Sequence, residues 1–92
     1  MTLKISKSGR IRIPKNVRNE LNLLEGSYLF VYESQNCIMI EKYNKDNTLN
    51  QCLFYDGRIT IPIELRRSLN LSPGAPLSIK VSHNKVILEN EN

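Results

Sequence analysis

The chain has 92 residues, which is enough for one small domain and too few for two independent ones. It carries 13 Lys and Arg residues against 9 Asp and Glu residues, and the net charge of +4 favours a polyanionic partner. No apolar run is long enough to span a bilayer and the N-terminus lacks the apolar stretch of a signal peptide, so we expect a cytoplasmic protein without a membrane partner.

The first part of the chain is predicted to form two strands and a short helix. A strand over residues 3–7 runs into a turn at Gly9, where glycine can adopt the positive φ that a tight turn requires. Residues 10–13 alternate polar and apolar side chains with the period of two that is typical of a half-buried strand. Pro14 suits the N1 position of a helix that continues to about Leu21.

Two more strands complete the unit. Asn22 suits the left-handed conformation that ends a helix, and Gly26 marks the next turn. Strands are predicted over residues 28–33 and 37–42, joined by a hairpin turn at residues 34–36. The predicted order of elements is therefore ββαββ.

The same unit occurs twice in the chain. When Gly9 is placed over Gly57, residues 9–42 align without a gap with residues 57–90, and 14 of the 34 positions are identical. The second unit is accordingly predicted to contain a helix that begins at Pro62 and strands over residues 52–55, 58–61, 77–81 and 85–89.

Neither unit is large enough to form a core of its own. A unit of about 40 residues with one two-turn helix cannot bury both faces of its strands. We therefore expect repeats at residues 3–42 and 51–90, joined by a polar linker at residues 43–50, to pack together as one composite domain over residues 1–92. The predicted fold class is mainly β with short helices, arranged as a barrel-like pseudo-dimer within one chain.

The repeated signature resembles a known family. Both units follow the pattern G-R-[IV]-x-I-P-x-x-[LIV]-R-x-x-L-x-[LI], with a glycine three residues later, which is similar to the AbrB/SpoVT/MazE swapped-hairpin superfamily. The second copy, DGRITIPIELRRSLNL, is especially similar to AbrB-like members. The resemblance implies that the two repeats interlace their hairpins into one β-barrel that binds double-stranded DNA.

Basic side chains supply the candidate DNA contacts. The resemblance implies a role for arginines after the turn and on the helix, and a guanidinium group can bind phosphates and guanine edges in a bidentate manner. The alternative is a solvated basic face whose ion pairs to Glu20, Asp56 and Glu64 only support the fold. We expect DNA contacts from Lys4, Arg10, Arg12, Lys15, Arg18, Arg58, Arg66 and Arg67.

The two copies differ in charge. The first half of the chain carries the whole net charge, and Arg12 of the first copy is replaced by Thr60 in the second. The ungapped alignment also places Lys4 over Cys52. We therefore expect an asymmetric contact surface and a degenerate or bent, AT-rich target that is read partly through DNA shape.

The remaining candidate residues favour structural roles. His83 lies in a predicted hairpin turn without the neighbours that a metal site needs, and Asp56 is interpreted as a turn former. Cys37 and Cys52 lack the spacing of a metal-binding or redox pair and are expected to be buried, reduced thiols. Packing in the core or at an interface, rather than stacking on bases, is expected for Tyr28, Tyr32, Phe54 and Tyr55.

The motifs of catalysis do not occur in the sequence. A Gly-rich phosphate loop, a nucleophile elbow and a catalytic carboxylate pair are all missing, so we expect neither an enzyme nor a cofactor, metal or small-molecule substrate. We expect a nucleoid-associated transcription regulator that acts as a repressor. Two alternatives stay open, an antitoxin, which the short segment after Glu89 disfavours, and a protein-interaction module of the same fold. The sequence also leaves open whether the chain associates into a homodimer or higher oligomer through exposed strand edges.

Overall fold

Ten secondary-structure elements follow one another in the computed structural model, which describes residues 2–91. The first five are β1 (Thr2–Lys4), β2 (Arg10–Arg12), α1 (Lys15–Glu20), β3 (Tyr28–Ser34) and β4 (Cys37–Glu41). The second five are β5 (Gln51–Leu53), β6 (Arg58–Thr60), α2 (Ile63–Ser68), β7 (Pro76–Ser82) and β8 (Lys85–Asn90). The order strand, strand, helix, strand, strand therefore occurs twice, and the protein is mainly β with two short helices among the described residues.

The strands of the two repeats are interlocked. Six of them form a curled antiparallel sheet in the order β1-β7-β8-β4-β3-β5, and β2 pairs with β6 in a separate two-stranded ribbon. The first strand of each repeat thus pairs with the hairpin of the other repeat, β1 with β7 and β5 with β3. This exchange is the predicted swapped-hairpin fold, in which the two repeats complete each other.

One hydrophobic core is built from both repeats. Phe54 is the largest fully buried side chain, and Ile11 and Ile59 face each other beneath the ribbon, each 1% exposed. Because β1, β5 and both ribbon strands pair with strands of the other repeat, neither repeat could enclose this interior without the other. The buried apolar side chains are Ile5, Ile11, Ile13, Val17, Leu21, Leu29, Val31, Ile38, Ile40, Phe54, Ile59, Ile61, Leu71, Ala75, Leu77, Val86 and Leu88.

The prolines before the helices lie one position earlier than predicted. Pro14 and Pro62 have extended ψ angles of 146° and 141°, so each is the N-cap residue rather than N1. The carbonyl of each proline accepts the first helical hydrogen bond, at 3.0 Å from Arg18 N and 3.1 Å from Arg66 N. A proline fits there because an N-cap N–H would have no helical partner. Neither six-residue helix, nor any other helix in residues 2–91, has the length and apolar character to cross a membrane.

The left-handed helix ends occur as predicted. Asn22 and Asn70 have φ angles of 52° and 55°. Asparagine tolerates this conformation better than most residues because its short side chain can bond locally. Both hairpin turns are also left-handed at their two central residues, which include His83 at a φ of 53°. This is the backbone of the type I′ turns that favour two-residue hairpins, and it accounts for the tight β3–β4 and β7–β8 connections.

The turns between the first two strands differ in length. Ser6 N bonds to Arg10 O at 2.9 Å, and the equivalent bond joins Tyr55 N to Arg58 O at 3.0 Å. The first repeat therefore has one more residue between these bonded positions than the second repeat, a difference that an ungapped alignment cannot represent.

This extra residue corrects the predicted correspondence of the first strands. Lys4 lies opposite Pro76, and the matching pair in the other half is Leu53 opposite Tyr28. Lys4 is thus equivalent to Leu53, and the alignment of Lys4 with Cys52 was wrong. The strands β1 and β5 are also shorter than the predicted ranges, because the chain leaves the sheet to enter these turns.

Hydrogen bonds hold the polar linker against the sheet. The carboxylate of Glu41 is 9% exposed and accepts hydrogen bonds from Tyr32 Oη at 2.5 Å and from Asn44 Nδ2 at 2.7 Å. Asp46 Oδ1 accepts the backbone N–H of Thr48 at 3.0 Å. Burial raises the pKa of Tyr32, and its hydrogen bond to the Glu41 carboxylate raises it further. The linker therefore has a defined path from the first repeat to the second.

Both cysteines are free thiols. They were predicted to be buried, but both are only half-buried. Cys52 lies on the edge strand β5, where only one side of the strand is covered. Burial raises the pKa of both thiols. The carboxylate of Glu89, whose Oε2 lies 3.9 Å from Cys37 Sγ, raises the pKa of Cys37 further.

Candidate nucleic-acid interface

The ribbon formed by β2 and β6 carries the densest group of predicted contact residues. Its two isoleucines, Ile11 and Ile59, point into the core. Because side chains alternate along a strand, the residues on either side of them point outwards. This outer surface, which we call the ribbon face, consists of Arg10, Arg12, Arg58 and Thr60.

The ribbon face contains an unfavourable pair of like charges. Arg12 lies directly opposite Arg58, and like charges in this position destabilise a strand pair. The carboxylate of Asp56 lies 2.6 Å from Arg58 Nη1, and Arg12 Nη1 is 3.5 Å from the backbone oxygen of Asp56. The Asp56 carboxylate thus pairs with Arg58, while Arg10 and Arg12 leave the surface with a positive charge that suits an anionic ligand.

A groove borders the ribbon face on the side of β1, and we call it the basic groove. Ser6 and Ser8 orient Arg10 there, since Ser6 Oγ accepts its backbone N–H at 3.0 Å and Ser8 Oγ accepts its Nε–H at 3.2 Å. The groove is lined by four basic side chains and no acidic one. The lining residues are Lys4, Ser6, Ser8, Arg10, Ile11, Arg12 and Arg58.

A second groove borders the ribbon face on the side of β5, and we call it the apolar groove. Leu53 and Tyr55 flank the buried Phe54 and therefore point away from the core. Tyr28 lies opposite Leu53 in the β3–β5 pair. The lining residues are Arg10, Leu53, Tyr55, Asp56, Arg58, Ile59 and Thr60.

These positions decide the prediction for the aromatic residues. Phe54 is buried in the core as expected, and Tyr32 is half-buried. Tyr28 and Tyr55 are 61% and 67% exposed, so they do not pack in the core, and packing at an interface stays a prediction for these two residues. The physical reason for this exposure is that Tyr28 and Tyr55 are next in sequence to the buried Leu29 and Phe54, so their side chains point to the outer face.

The helix arginines pack against the turns of the opposite repeat. A methyl group built on Gly9 would lie 2.6 Å from Nε and Nη1 of Arg66, and one built on Gly57 would lie 2.9 Å from Nη1 of Arg18. Arg66 Nε also donates to Ile61 O at 2.9 Å. Both glycines have a positive φ, so these turns need glycine for the backbone and for the space that the guanidinium groups occupy.

The ion pairs of the alternative interpretation, in which the basic face only supports the fold, occur only in part. Within residues 2–91 the ion pairs join Arg58 to Asp56 at 2.6 Å and Arg18 to Glu25 at 3.8 Å. Asp56 was among the expected partners, whereas Glu20 and Glu64 form no such pair in this part of the chain. Glu25 Oε1 also accepts the backbone N–H of Gly57 at 2.9 Å, a contact between the repeats that the sequence did not indicate.

The other two predicted contacts lie on the helices. Lys15 is the first residue of α1 and is exposed. Arg67 is exposed on α2, in a separate depression that it shares with Ile63 and Asn70. The structure therefore brings Lys4 and the three ribbon arginines together, places Arg18 and Arg66 at the turns, and leaves Lys15 and Arg67 outside the two grooves.

Sequence reasoning missed the residues that line the two grooves between the arginines. Ser6 and Ser8 carried no signal except their position before Arg10. The exposure of Leu53 and Tyr55 could have been found from their alternation around Phe54, had the strand been placed in the correct register. No group of three or more potential metal ligands occurs within residues 2–91.

A family model described as "Antidote-toxin recognition MazE, bacterial antitoxin" matches residues 2–48 and matches again over residues 56–92. The chain belongs to the MazE antitoxin family. This assignment confirms the predicted AbrB/MazE superfamily, and the two matched segments agree with two tandem repeats. At the level of the family, it supports a non-enzymatic antitoxin or DNA-binding regulator.

A solved structure shares the fold of this MazE-family chain. It is the solution structure of PHS018 from Pyrococcus horikoshii. The structural match covers 98% of this chain and 87% of the PHS018 chain, with a TM-score of 0.60 and 20% sequence identity. At this identity the likeness shows the fold alone. The comparison with curated protein sequences gives no match.

Proposed function

We propose that this protein is a transcription repressor that binds double-stranded DNA through the ribbon face. The observation that carries the proposal is the outward-facing group of Arg10, Arg12 and Arg58, in which two arginines lie directly opposite each other. Asp56 compensates the charge of Arg58, and an anionic ligand would compensate the remaining charge of Arg10 and Arg12. The membership of the MazE family supports DNA as that ligand.

The two-stranded form of the ribbon suits the proposed ligand. The major groove of B-DNA, about 12 Å wide, admits a two-stranded β-ribbon, and arginine can bind phosphates or guanine edges from it. Lys4 and the ribbon arginines would make the central contacts. Lys15 and Arg67, which are exposed on the helices, would contact the flanking phosphates.

Arg18 and Arg66 have a positioning role in this proposal. Their guanidinium groups lie against Gly57 and Gly9, at the turns that lead into the ribbon strands. They would hold the ribbon in place and add positive potential at its ends. A repressor of this kind acts by occupying a duplex site, so we propose that the protein works on the nucleoid in the cytoplasm.

Salt-dependent binding to duplex DNA tests the proposal. The wild-type protein should bind a fluorescent duplex at low salt, and the logarithm of its affinity should fall linearly with the logarithm of salt concentration, by about 0.9 per neutralised phosphate. The double variant Arg10→Ala/Arg12→Ala should bind more weakly and show a smaller slope. The control Lys45→Ala/Lys80→Ala removes the same charge from exposed positions outside the grooves and should change both quantities less.

The outcomes of this titration are decisive. Undetectable binding of the wild-type protein to duplex DNA at low salt would overturn the proposed function. Equal losses in the two double variants would show that net charge, and not the ribbon face, determines binding.

Toxin binding is the second candidate function, and the description of the matched family favours it. Its test is purification of the protein after expression of its native operon. A small toxin that stays bound through gel filtration would support an antitoxin, and a protein that elutes by itself would favour the repressor.

A further inference from the structure

The basic groove and the apolar groove are equivalent positions of the two repeats. Each is bounded by the end of a first strand, by the following turn and by the outer face of the ribbon. Arg10 and Arg58 line both grooves, because they are the equivalent residues at the starts of β2 and β6. A ligand that covers the ribbon face therefore meets one groove on each side.

The side chains at equivalent positions have different chemistry. Lys4 in the basic groove corresponds to Leu53 in the apolar groove, since each lies opposite the first residue of the partner hairpin. Ser6 corresponds to Tyr55, because both donate the backbone bond that closes the turn. Four basic side chains line the basic groove, whereas the apolar groove has two arginines and the carboxylate of Asp56.

Three apolar side chains are exposed at or beside the apolar groove. Leu53, Tyr28 and Tyr55 are 46%, 61% and 67% exposed, and the first two are direct cross-strand neighbours. Phe54 already fills the core at this point of the strand, so the three residues are not needed for the interior. Two of them, Leu53 and Tyr55, line the apolar groove together with Arg10 and Arg58, so a ligand on the ribbon face would meet apolar and charged groups side by side.

We propose that the apolar groove contacts thymine methyl groups in one half of a DNA site, while the basic groove contacts phosphates of the other half. The protein then binds a non-palindromic duplex in one orientation. This inference rests on the proposed function, and it adds the chemical cause of the orientation. Duplex DNA is favoured over a protein as occupant because the groove is continuous with the ribbon face and shares Arg10 and Arg58 with it.

Thymine is the base that fits an apolar surface in the major groove. Its C5-methyl group is the apolar feature of the major-groove edges, and side chains recognise it by apolar contact. Burial of one methyl group against Leu53 or Tyr55 is expected to strengthen binding about fourfold. Two such contacts would make the preference for one orientation about tenfold or more.

The test begins with selection of binding sites from a randomised duplex pool by the wild-type protein. The selected site should lack dyad symmetry and should contain thymines in one half. Each thymine is then replaced in turn by deoxyuridine, which removes only the methyl group. Replacement in that half should weaken binding about fourfold per contacted base, and replacement in the other half should have little effect.

Matched variants assign the effect to the groove. The double variant Leu53→Ala/Tyr55→Ala should have the same affinity for the thymine duplex as for the deoxyuridine duplex, and each single variant should lose part of the thymine preference. Tyr43→Ala and Leu24→Ala remove side chains that are 80% and 69% exposed outside both grooves, and they should keep the wild-type preference. Thermal unfolding of each variant shows whether it is folded. The deoxyuridine series changes only the DNA, so it tests the inference on the wild-type protein even if a variant fails to fold.

The outcomes separate this inference from the proposed function. A dyad-symmetric site, an unenriched pool or equal affinity for thymine and deoxyuridine duplexes would overturn the inference, and salt-dependent binding would still support the repressor. Absence of any duplex binding at low salt would overturn both. Loss of the methyl preference in Tyr43→Ala or Leu24→Ala would also contradict the assignment to the apolar groove.

Discussion

The two repeats have the same path and different surfaces. Both place an arginine after the turn, an isoleucine beneath the ribbon and a proline at the helix N-cap. Yet Lys4 and Ser6 of the first repeat are replaced by Leu53 and Tyr55 in the second. The shared residues therefore specify the fold, and the residues that differ specify what each half contacts.

The helices show a second difference between the repeats. Val17 and Leu21 of the first helix region are buried, whereas Leu65 and Leu69 of the second are half-buried. The packing of the helix arginines is shared, because Arg18 and Arg66 each lie against a glycine of the opposite repeat. The other partners of these arginines differ, because Arg18 pairs with Glu25 whereas Arg66 donates to Ile61 O.

Truncation of the largest core residue gives the largest expected effect. Phe54→Ala should lower the free energy of unfolding by about 3–5 kcal/mol because it removes a fully buried aromatic ring. Phe54→Ile, which copies the equivalent Ile5 of the first repeat, should cost less. Urea unfolding followed by circular dichroism measures both, and two separate transitions in the wild-type protein would contradict the interlocked core.

The turn glycines give the next effect. Gly9→Ala should lower the free energy of unfolding by about 2–3 kcal/mol, from the positive φ and from displacement of the Arg66 guanidinium. Gly26→Ala is the matched control, because Gly26 has a φ of +83° and nothing within 4 Å of an added methyl group. It should cost about 1–2 kcal/mol. Equal losses of unfolding free energy in Gly9→Ala and Gly26→Ala, measured by urea unfolding, would contradict the packing role of Arg66.

Equivalent glutamates should differ in their effect on stability. Glu41→Ala removes a buried acceptor for Tyr32 and Asn44 and should cost about 1.5–3 kcal/mol. Glu89→Ala, at the equivalent but exposed position of the second repeat, should change the free energy of unfolding by no more than about 0.5 kcal/mol. Thermal unfolding measures the stability of both variants. Similar losses of stability would contradict the claim that the buried Glu41 contributes more than the exposed Glu89.

The charge of the ribbon face can be exchanged between the repeats. Arg12→Thr gives the first repeat the residue of the second, and it should reduce the salt slope of DNA binding by about 0.9. Thr60→Arg makes the reverse exchange and should increase the slope by a similar amount. Fluorescence titrations across a salt series measure the slopes, and an unchanged slope in both variants would place the phosphate contacts elsewhere.

The smallest effect concerns stability at high pH. The pKa of Tyr32 is raised, chiefly by burial and then by the bond to Glu41, so its neutral form is favoured in the folded protein. The stability that this shift contributes is complete below the pKa of tyrosine in the unfolded chain, about 10. It is lost as the pH rises through the higher pKa of Tyr32 in the folded protein. The free energy of unfolding of Tyr32→Phe should therefore fall less between pH 8 and pH 11 than that of the wild-type protein, as measured by urea unfolding at each pH.

Much of the fold could be predicted from the repeat. The period-two alternation at residues 10–13 and 58–61 located the ribbon strands, and the asparagines marked both helix ends. The exchange of strands could be expected because one unit is too small to bury both of its faces. These predictions succeed because they depend on local patterns that both repeats share.

The errors have physical causes that an ungapped alignment hides. The additional residue in the first turn shifts β1 by one position, and a shift of one residue changes which face a side chain occupies. The correspondence of Leu53 with Lys4, and of Tyr55 with Ser6, therefore could not be read from the ungapped alignment. The contact of Arg66 with Gly9 joins distant parts of the chain, so it required the three-dimensional structure.

The position of the DNA contacts is the central claim, and an NMR titration tests it most directly. The backbone amide signals of the ¹⁵N-labelled protein are followed as a duplex from the selected pool is added at low salt. We expect the largest shifts at Arg10–Arg12 and Arg58–Thr60, with smaller shifts at Leu53 and Tyr55. Shifts confined to β4 and β8, on strands that line neither groove, would contradict the account.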